Sequence, residues 1–299
     1  MEGKAFGTLL LIISFICLPA CGQNKPVDSN NAGSEPSATY IENKGSDTLV
    51  NLALAWAEEY QKRFPEIQIS VTGGGSGTGF AALINGTIDI ANASRGIKQE
   101  EIDSARELGF EPVEHIVAND AIAVIINPTN PVEKLTLDQV SRIYKGEITN
   151  WQDVGGEDRP IVKLSRETNS GTHVYFLETV VRLGSKEDIS IFSRDTLLLP
   201  SSEGIISEVR DNPNAIGYDG LGYVTEDVKM VALAPKAGDA YILPAAATVI
   251  NGTYPISRHL FMVTRGQPQG IQQKYLEWII SDDAQAIVAE LGFVPVLGE

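Results

Sequence analysis

The chain has 299 residues, of which 43% are hydrophobic and 21% are charged, which is typical of a globular protein that can build an adequate core. Its formal net charge is −16, and it contains no run of lysines or arginines that could follow a phosphate backbone. Composition therefore argues against a nucleic acid as partner. It does not argue against a small anion, because nearby hydrogen-bond donors dominate while distant surface charges are screened beyond about 10 Å.

The N-terminus carries the only strongly apolar segment, residues 5–20, which is too short for a membrane span and is typical of a signal-peptide core. Leu18-Pro19-Ala20-Cys21 follows and resembles the lipobox of bacterial lipoproteins. We therefore predict a lipoprotein signal peptide over residues 1–20 and lipidation of Cys21. Cys17 would be removed with the signal peptide, so the mature chain would have no disulfide although it is exported.

Residues 21–38 are rich in proline, serine, asparagine and glycine and show no apolar periodicity. Such a segment cannot bury enough apolar surface to fold, so we predict a disordered tether. Together with the lipid anchor, it predicts an extracytoplasmic protein held on a bacterial membrane, in the periplasm or at the cell surface.

The first folded strand is predicted to begin at Tyr40, followed by the polar loop 43–48 and a helix to about Phe64. Ser46 and Asp47 are residue types that cap helix N-termini, and apolar residues recur at helical spacing after them. This loop places hydroxyl and backbone donors at the start of a helix.

Two further loops of this kind lie between residues 71 and 96, a strand–helix–strand unit. The glycine-rich segment 73–79 follows a strand predicted at 67–71, and segment 93–96 follows one predicted at 88–91. Each precedes a candidate helix. Exposed N–H groups, hydroxyls and the positive end of a helix dipole together favour an anion, so the pair of loops predicts an oxyanion site rather than plain turns.

The middle of the chain alternates between strands and helices. Residues 98–108 predict a surface helix, and a strand at 113–116 and a buried strand at 121–127 are separated by the polar pair Asn119-Asp120. Residues 135–144 predict an amphipathic helix. The loop-like segment 145–158 follows, with Trp151 as its expected anchor.

A fourth polar loop, residues 165–172, follows a strand predicted at 161–164 and precedes a helix to about Val181. It adds Arg166, whose guanidinium can hold an oxyanion through paired hydrogen bonds. Beyond it we predict, in order, the end of a helix at 205–209, strands at 215–218 and 256–263, and helices at 270–280 and 282–292. The alternation indicates the α/β class.

The sequence lacks the motifs of several common nucleotide-binding and catalytic sites. No lysine follows the glycines in the P-loop pattern, and the dinucleotide fingerprint lacks its ribose-binding acid because Ser94-Arg95 stands there. The three histidines are scattered, which argues against a metal enzyme. Ser170 and His173 are too close in sequence for a relayed triad, and we expect His173 at the surface.

Five motifs in order closely resemble the phosphate-binding proteins (PstS) of the bacterial phosphate ABC transporter, and the resemblance covers nearly all of residues 40–296. The motifs are GSDT (45–48), GGGSGTG (73–79), DIANASR (89–95), the long segment 119–156 and SRETNSGT (165–172).

The resemblance implies a type II periplasmic-binding-protein fold, in which two α/β lobes close on one dehydrated phosphate. Lobe I is expected at residues 39–116 and 247–299, and lobe II at 117–246. By motif position, the residues expected to bind phosphate are Ser46, Thr48, Leu49, Ser76, Ser94, Arg95, Arg166, Ser170, Gly171 and Thr172. We expect a monomer without cofactor or metal that delivers phosphate to ABC transporter permease subunits and is not an enzyme.

One departure from the family pattern concerns the proton of the ligand. Some members have an aspartate after the serine where this chain has Arg95, and that acid accepts a proton from phosphate. Asp47 and Glu167 are the candidates to replace it. The alternatives are a receptor for sulfate or molybdate, a secreted phosphate-ester enzyme, and a surface adhesin or sensor on the same fold.

Overall fold

The structure, a computed structural model, describes residues 39–296. The predicted signal peptide, the lipidation of Cys21 and the tether over residues 21–38 lie outside the described residues. No helix in the described part of the chain has both the length and the apolar composition that crossing a membrane requires.

Strands and helices alternate along most of the described chain. The strands are β1 Thr39–Gly45, β2 Ile67–Thr72, β3 Ile90–Ala93, β4 Pro112–Ile126, β5 Lys134–Thr136, β6 Val162–Arg166, β7 Leu197–Leu199, β8 Ala215–Gly220, β9 Lys229–Met230, β10 Ala232–Ala234 and β11 Ser257–Arg265. The α-helices are α1 Asp47–Arg63, α2 Ser76–Ile84, α3 Gln99–Glu107, α4 Leu137–Lys145, α5 Gly171–Phe176, α6 Ser202–Asp211, α7 Ala246–Ile250, α8 Gly270–Ile279 and α9 Asp282–Glu290. A π-helical turn, Leu177–Val181, continues α5, so the predicted helix to about Val181 is confirmed.

Most strands form one mixed sheet in the order β2-β1-β3-β11-β4-β8-β6-β7, with β9 also paired to β4. A separate two-stranded sheet consists of β5 and β10. The first part of β4 pairs with β11, and its last five residues pair with β8. The long strand β4 therefore joins a half-sheet built from β1, β2, β3 and β11 to one built from β6, β7 and β8. The predicted lobe boundaries stay a prediction.

The strand β4 corrects the sequence analysis, which predicted two strands separated by Asn119-Asp120. The strand is continuous over Pro112–Ile126 because its polar residues have partners on the neighbouring strand. Asp120 is the register partner of Arg258 on β11, and its carboxylate accepts hydrogen bonds from that guanidinium. A buried ion pair, rather than a turn, accounts for the polar interruption.

Apolar faces at the predicted spacing build the core. In α1 the buried positions Leu49, Leu52 and Trp56 recur on one face and pack under the first half-sheet with α8 and α9. A second cluster forms around the last part of β4 and includes Trp151, which is fully buried. The Trp151 indole donates to the carbonyl of Asn214 at 3.0 Å, so its predicted role as an anchor is confirmed.

Candidate functional site

Polar loops follow β1, β3 and β6 at the ends of their strands. Strands β1 and β3 are parallel, so their carboxyl ends lie at the same edge of the first half-sheet. Strand β6 ends at Arg166 in the second half-sheet, directly before the loop that leads into α5. The structure brings these loops together at the junction of the two half-sheets.

The two helices that begin at this edge of the first half-sheet have no side-chain cap. Ser46 occupies the N-cap position of α1 and Gly75 that of α2, and neither makes a side-chain cap hydrogen bond. Ser46 is fixed through its backbone, whose N–H donates to the carbonyl of Asn92 at 2.9 Å. In α1 and α2, the N-cap side chain therefore accepts no hydrogen bond from the backbone N–H groups of the first turn.

Hydroxyl groups in the cluster already accept hydrogen bonds from the protein. Ser76 Oγ accepts from the Ser94 N–H at 3.0 Å, and Ser170 Oγ accepts from the Thr172 N–H at 3.2 Å. Thr172 Oγ1 accepts from Arg258 Nη2 at 3.1 Å. Since each oxygen has an N–H donor, the hydroxyl proton is free to point elsewhere. The cluster thus offers donors, which suits an oxyanion.

The loops of the two half-sheets touch each other directly. Thr48 Oγ1 and Thr172 Oγ1 lie 2.8 Å apart, and the Gly77 N–H donates to the carbonyl of Asn169 at 3.0 Å. Asn169 Nδ2 in turn donates to the carbonyl of Gly74 at 2.9 Å. Close approach here requires glycine, because a methyl group on Gly171 would collide with the hydroxyls of Ser76 and Ser94.

Arg166 provides a buried positive charge, with 1% of its surface exposed. Its Nη1 donates to Ser202 Oγ at 2.8 Å, and its Nη2 donates to the carbonyl of Pro200 at 2.9 Å and to Asp47 Oδ2 at 2.7 Å. Its Nε is buried and has no hydrogen-bond partner among the described residues. A buried N–H without a hydrogen bond destabilises the folded protein. Arg166 Nε is therefore a donor that an acceptor on a ligand could satisfy.

Two carboxylates adjoin Arg166. Asp47 comes from the start of α1, and its Oδ1 accepts from the Gly74 N–H at 3.0 Å. Asp219 is fully buried, and its Oδ2 lies 3.6 Å from Arg166 Nη1. Burial raises the pKa of Asp219 above its ordinary value, and the charge of Arg166 acts in the opposite direction.

Arg258 is a functional candidate that the sequence analysis missed. It is 8% exposed, and its guanidinium binds Asp120, the carbonyl of Ser94 and the hydroxyl of Thr172. No local motif marks it, because Arg258 lies within an ordinary strand pattern and its partners are distant in sequence. The signal that could have found it was a charged pair, Asp120 and Arg258, in two apolar strands.

Three residues that the sequence analysis predicted to act on the ligand contact other parts of the protein or solvent. The Arg95 guanidinium pairs with both oxygens of Glu101, at 2.7 and 2.8 Å, and lies over the ring of Phe80. The Leu49 N–H donates to the carbonyl of Ser46 at 3.1 Å, and its side chain is in the core. Glu167 is exposed, so of the two candidate proton acceptors only Asp47 contacts Arg166. The assignment of these residues to a ligand stays a prediction.

The expectation that His173 lies at the surface is wrong, since His173 is 7% exposed. Its Nδ1 lies 2.9 Å from the carbonyl of Arg166, which can only accept, so Nδ1 carries the proton. Burial lowers the pKa of His173, and the hydrogen bond to that carbonyl acts in the opposite direction. His173 fixes the backbone around Arg166. Within residues 39–296, no group of three or more His, Cys, Asp or Glu side chains is placed to hold a metal ion.

Two half-sheets joined by the long strand β4, with oxyanion donors where their loops meet, define a two-lobed binding protein of the type II periplasmic-binding-protein class. A family profile described as a PBP superfamily domain matches residues 30–283. The phosphate-binding protein PstS of Pseudomonas aeruginosa is 33% identical over 269 residues, which cover 84% of this chain and 81% of that protein. PstS of Bacillus subtilis is 31% identical over 302 residues, covering 99% of this chain and 95% of that protein.

Among solved structures, one described as a phosphate ABC transporter substrate-binding protein from Clostridium perfringens with bound phosphate matches with a TM-score of 0.77. It is 32% identical, and the match covers 87% of this chain and 100% of that chain. The chain therefore belongs to the PstS family of phosphate-binding proteins within the PBP superfamily. The predicted family, the fold class and the expectation of a binding protein rather than an enzyme are confirmed.

Proposed function

We propose that this protein captures inorganic phosphate between its two lobes and delivers it to the permease of an ABC transporter. The observation that carries the proposal is the unpaired, buried Nε of Arg166, at a junction of loops that also holds hydroxyls whose oxygens already accept N–H donors. Every one of these groups gains a hydrogen bond from an anion with oxygen atoms in several directions. Phosphate is the anion that the names of the relatives print.

Hydrogen bonds, rather than net charge, hold the anion in this proposal. Arg166 and Arg258 lie among the three carboxyl groups of Asp47, Asp120 and Asp219, so the two guanidinium groups leave no excess of positive charge. A dianion in such a place needs directed N–H and O–H donors and helix N-termini, as at other buried oxyanion sites. The residues assigned to phosphate are Ser46, Thr48, Ser76, Ser94, Arg166, Ser170, Gly171 and Thr172, with Arg95 and Leu49 acting through their neighbours.

Asp47 is proposed as the acceptor for the proton of phosphate. Its Oδ2 accepts from Arg166, which places this carboxylate next to the guanidinium that meets the ligand. Sulfate has no proton to donate near neutral pH, so its oxygens would face a carboxylate without a hydrogen bond between them. That repulsion favours phosphate over sulfate by more than the roughly 1 to 3 kcal/mol of an unpaired neutral group.

The place of action follows from the same proposal. A protein that hands phosphate to a permease acts outside the cytoplasm, and lipidation at Cys21 with a tether over residues 21–38 would keep it near the membrane. The chain is proposed to act as a monomer that holds one phosphate between its own lobes. Mass spectrometry of membrane-extracted protein is expected to find a diacyl or triacyl Cys21, and an unmodified Met1 start would contradict the anchor.

Isothermal titration calorimetry of the purified full chain tests the function. Phosphate and arsenate are expected to bind one per chain and to compete, because both are protonated tetrahedral anions at neutral pH. Sulfate and molybdate are expected not to compete. Tight binding of sulfate or molybdate in place of phosphate would make the protein a receptor for another oxyanion, and binding of none of the four would contradict the proposal.

A further inference from the structure

Arg258 lies on one of the two long strands that pair at the junction of the half-sheets. Its register partner Asp120 lies on the other, and both side chains are buried. Arg258 Nε and Nη2 donate to Asp120 Oδ2 at 3.2 and 2.9 Å, and Asp120 Oδ1 accepts from the Leu221 N–H at 3.0 Å. The guanidinium is thus fixed in direction by a partner that is itself held.

The remaining donors of Arg258 reach both sides of the donor cluster. Nη1 donates to the carbonyl of Ser94 at 2.8 Å, at the end of β3 in the first half-sheet. Nη2 also donates to Thr172 Oγ1 at 3.1 Å, at the start of α5, the helix that follows the β6 loop of the second half-sheet. One rigid group therefore contacts a loop from each half-sheet at the point where they meet.

The contact with Thr172 determines what that hydroxyl can do. A hydroxyl has one proton, and Arg258 is a donor that cannot accept, so the bond uses an oxygen lone pair of Thr172. The proton of Thr172 must then point to Thr48 Oγ1, 2.8 Å away, or into the cluster. In either case the pair of threonines presents one O–H donor to an anion.

We propose that Arg258 is a positioning residue of the phosphate site. By donating to Thr172, it leaves the Thr172–Thr48 hydroxyl pair to act as a hydrogen-bond donor. Because it contacts a loop from each half-sheet, it holds that donor in place when the two lobes are closed. This inference rests on the proposed function. Arg258 acts through Thr172 and does not touch the phosphate. If Arg258 served only as the partner of Asp120 in a structural ion pair, it would not need to contact Thr172. Its Nη2 donates to Thr172 Oγ1 as well as to Asp120.

A double-mutant cycle in phosphate affinity tests this inference, with Arg258→Lys and Thr172→Val measured singly and together in the full chain. Each single variant is expected to weaken phosphate binding about tenfold, as for the loss of one charge-assisted hydrogen bond. In the Thr172→Val background, Arg258→Lys is expected to cost about twofold or less, because the hydroxyl through which it acts is absent. In the Thr172→Ser background, the tenfold loss is expected to persist.

Stability is separated from positioning by a neighbouring control. Tyr175 Oη donates to the carbonyl of Ser257 at 2.6 Å, and the Arg258 guanidinium lies over the Tyr175 ring. Tyr175→Phe removes that hydrogen bond and is expected to lower the melting temperature without changing phosphate affinity. If Arg258→Lys does not fold, the double change Arg258→Gln with Asp120→Asn replaces it in the same cycle, since removing both charges leaves neither one buried and unpaired.

The outcomes distinguish this inference from the function on which it rests. No phosphate binding by the unaltered chain would overturn the proposed function and the inference with it. Phosphate binding by the unaltered chain, with equal losses from Arg258→Lys in the presence and absence of the Thr172 hydroxyl, would overturn the inference alone. Loss of affinity in Tyr175→Phe equal to that in Arg258→Lys would also overturn it.

Discussion

Two buried arginines flank the donor cluster, and they differ in what they have left to donate. Arg258 uses all three of its guanidinium nitrogens on Asp120, Ser94 and Thr172. Arg166 uses both terminal nitrogens, but its Nε is buried without a partner among the described residues. Both arginines are buried, so what distinguishes them in the proposed site is the donor that each has left: Arg166 has one for a ligand, and Arg258 has used its nitrogens on the protein.

Their carboxylate partners differ in the same way. Asp120, the partner of Arg258, is fully buried, whereas the Asp47 side chain beside Arg166 is 20% exposed. A fully buried pair suits a fixed structural element, because neither charge can be released without a large penalty. A partly exposed pair suits a site that must exchange partners when a ligand enters.

The largest expected effect concerns the two aspartates. Asp120→Asn leaves Arg258 buried without its counter-charge and is expected to reduce the free energy of unfolding by about 3 to 5 kcal/mol. Asp47→Asn is expected to cost about 1 kcal/mol or less, because the pair is partly solvated and Asp219 stays beside Arg166. Urea unfolding monitored by circular dichroism measures both. Equal losses would remove the distinction between the two arginines.

The next effect concerns affinity. Arg166→Lys keeps a positive charge between Asp47 and Asp219 but lacks Nε and the planar fork. Phosphate affinity is expected to fall by about tenfold to more than a hundredfold, corresponding to roughly 1.5 to 3 kcal/mol for hydrogen bonds to a charged group. Arg182→Lys is the control, since Arg182 Nε donates to the carbonyl of Ser190 away from the cluster. Unchanged affinity in Arg166→Lys would refute direct contact with the ligand.

A smaller effect is expected from the contact between the loops of the two half-sheets. Gly75 and Gly109 have similar positive φ angles, 87° and 84°, so alanine strains the backbone at either position. A methyl group on Gly75 would lie 2.7 Å from the carbonyl oxygen of Asn169, whereas one on Gly109 would meet nothing within 4 Å. Gly75→Ala is therefore expected to disrupt the contact and to weaken phosphate binding roughly two- to tenfold, the worth of one hydrogen bond.

Calorimetry compares these two glycine variants. Gly109→Ala is expected to lose stability but to bind phosphate like the unaltered chain. If both variants bind equally well, the contact between the glycine-rich loop and Asn169 does not contribute to capture of the ligand.

The smallest expected effect is a pH dependence of stability that comes from His173. Burial lowers the pKa of His173 in the folded protein, so the unfolded chain binds its proton more readily. The stability that the neutral imidazole provides is therefore fully present above the unfolded-chain pKa of about 6.5 and is lost as the pH falls from that value through the lower pKa of the folded protein. His173→Gln is expected to flatten this part of the profile of unfolding free energy against pH, and a profile that does not change would assign the dependence to other groups.

Local sequence predicted the donor loops well, because hydroxyls, glycines and the helices that follow them are contiguous in the chain. The place of Ser76, Arg166 and Ser170 in these loops could be predicted in this way, and their assignment to a ligand stays a prediction. The continuous strand β4 and the role of Arg258 could not be predicted, since both depend on a pairing between positions 138 residues apart. His173 was expected at the surface because polarity alone does not reveal a backbone carbonyl that a buried imidazole can bind.

The central claim is that the free donor of Arg166, and not Arg258, meets the anion. Nitrogen-15 spectra of the arginine Nε–H groups test it directly, with the two resonances assigned from Arg166→Lys and Arg258→Lys. Saturating phosphate is expected to shift the Arg166 Nε–H strongly downfield and to slow its exchange with solvent. The Arg258 Nε–H, already bonded to Asp120, is expected to change little. An Arg166 signal that stays in place at saturating phosphate would contradict the account.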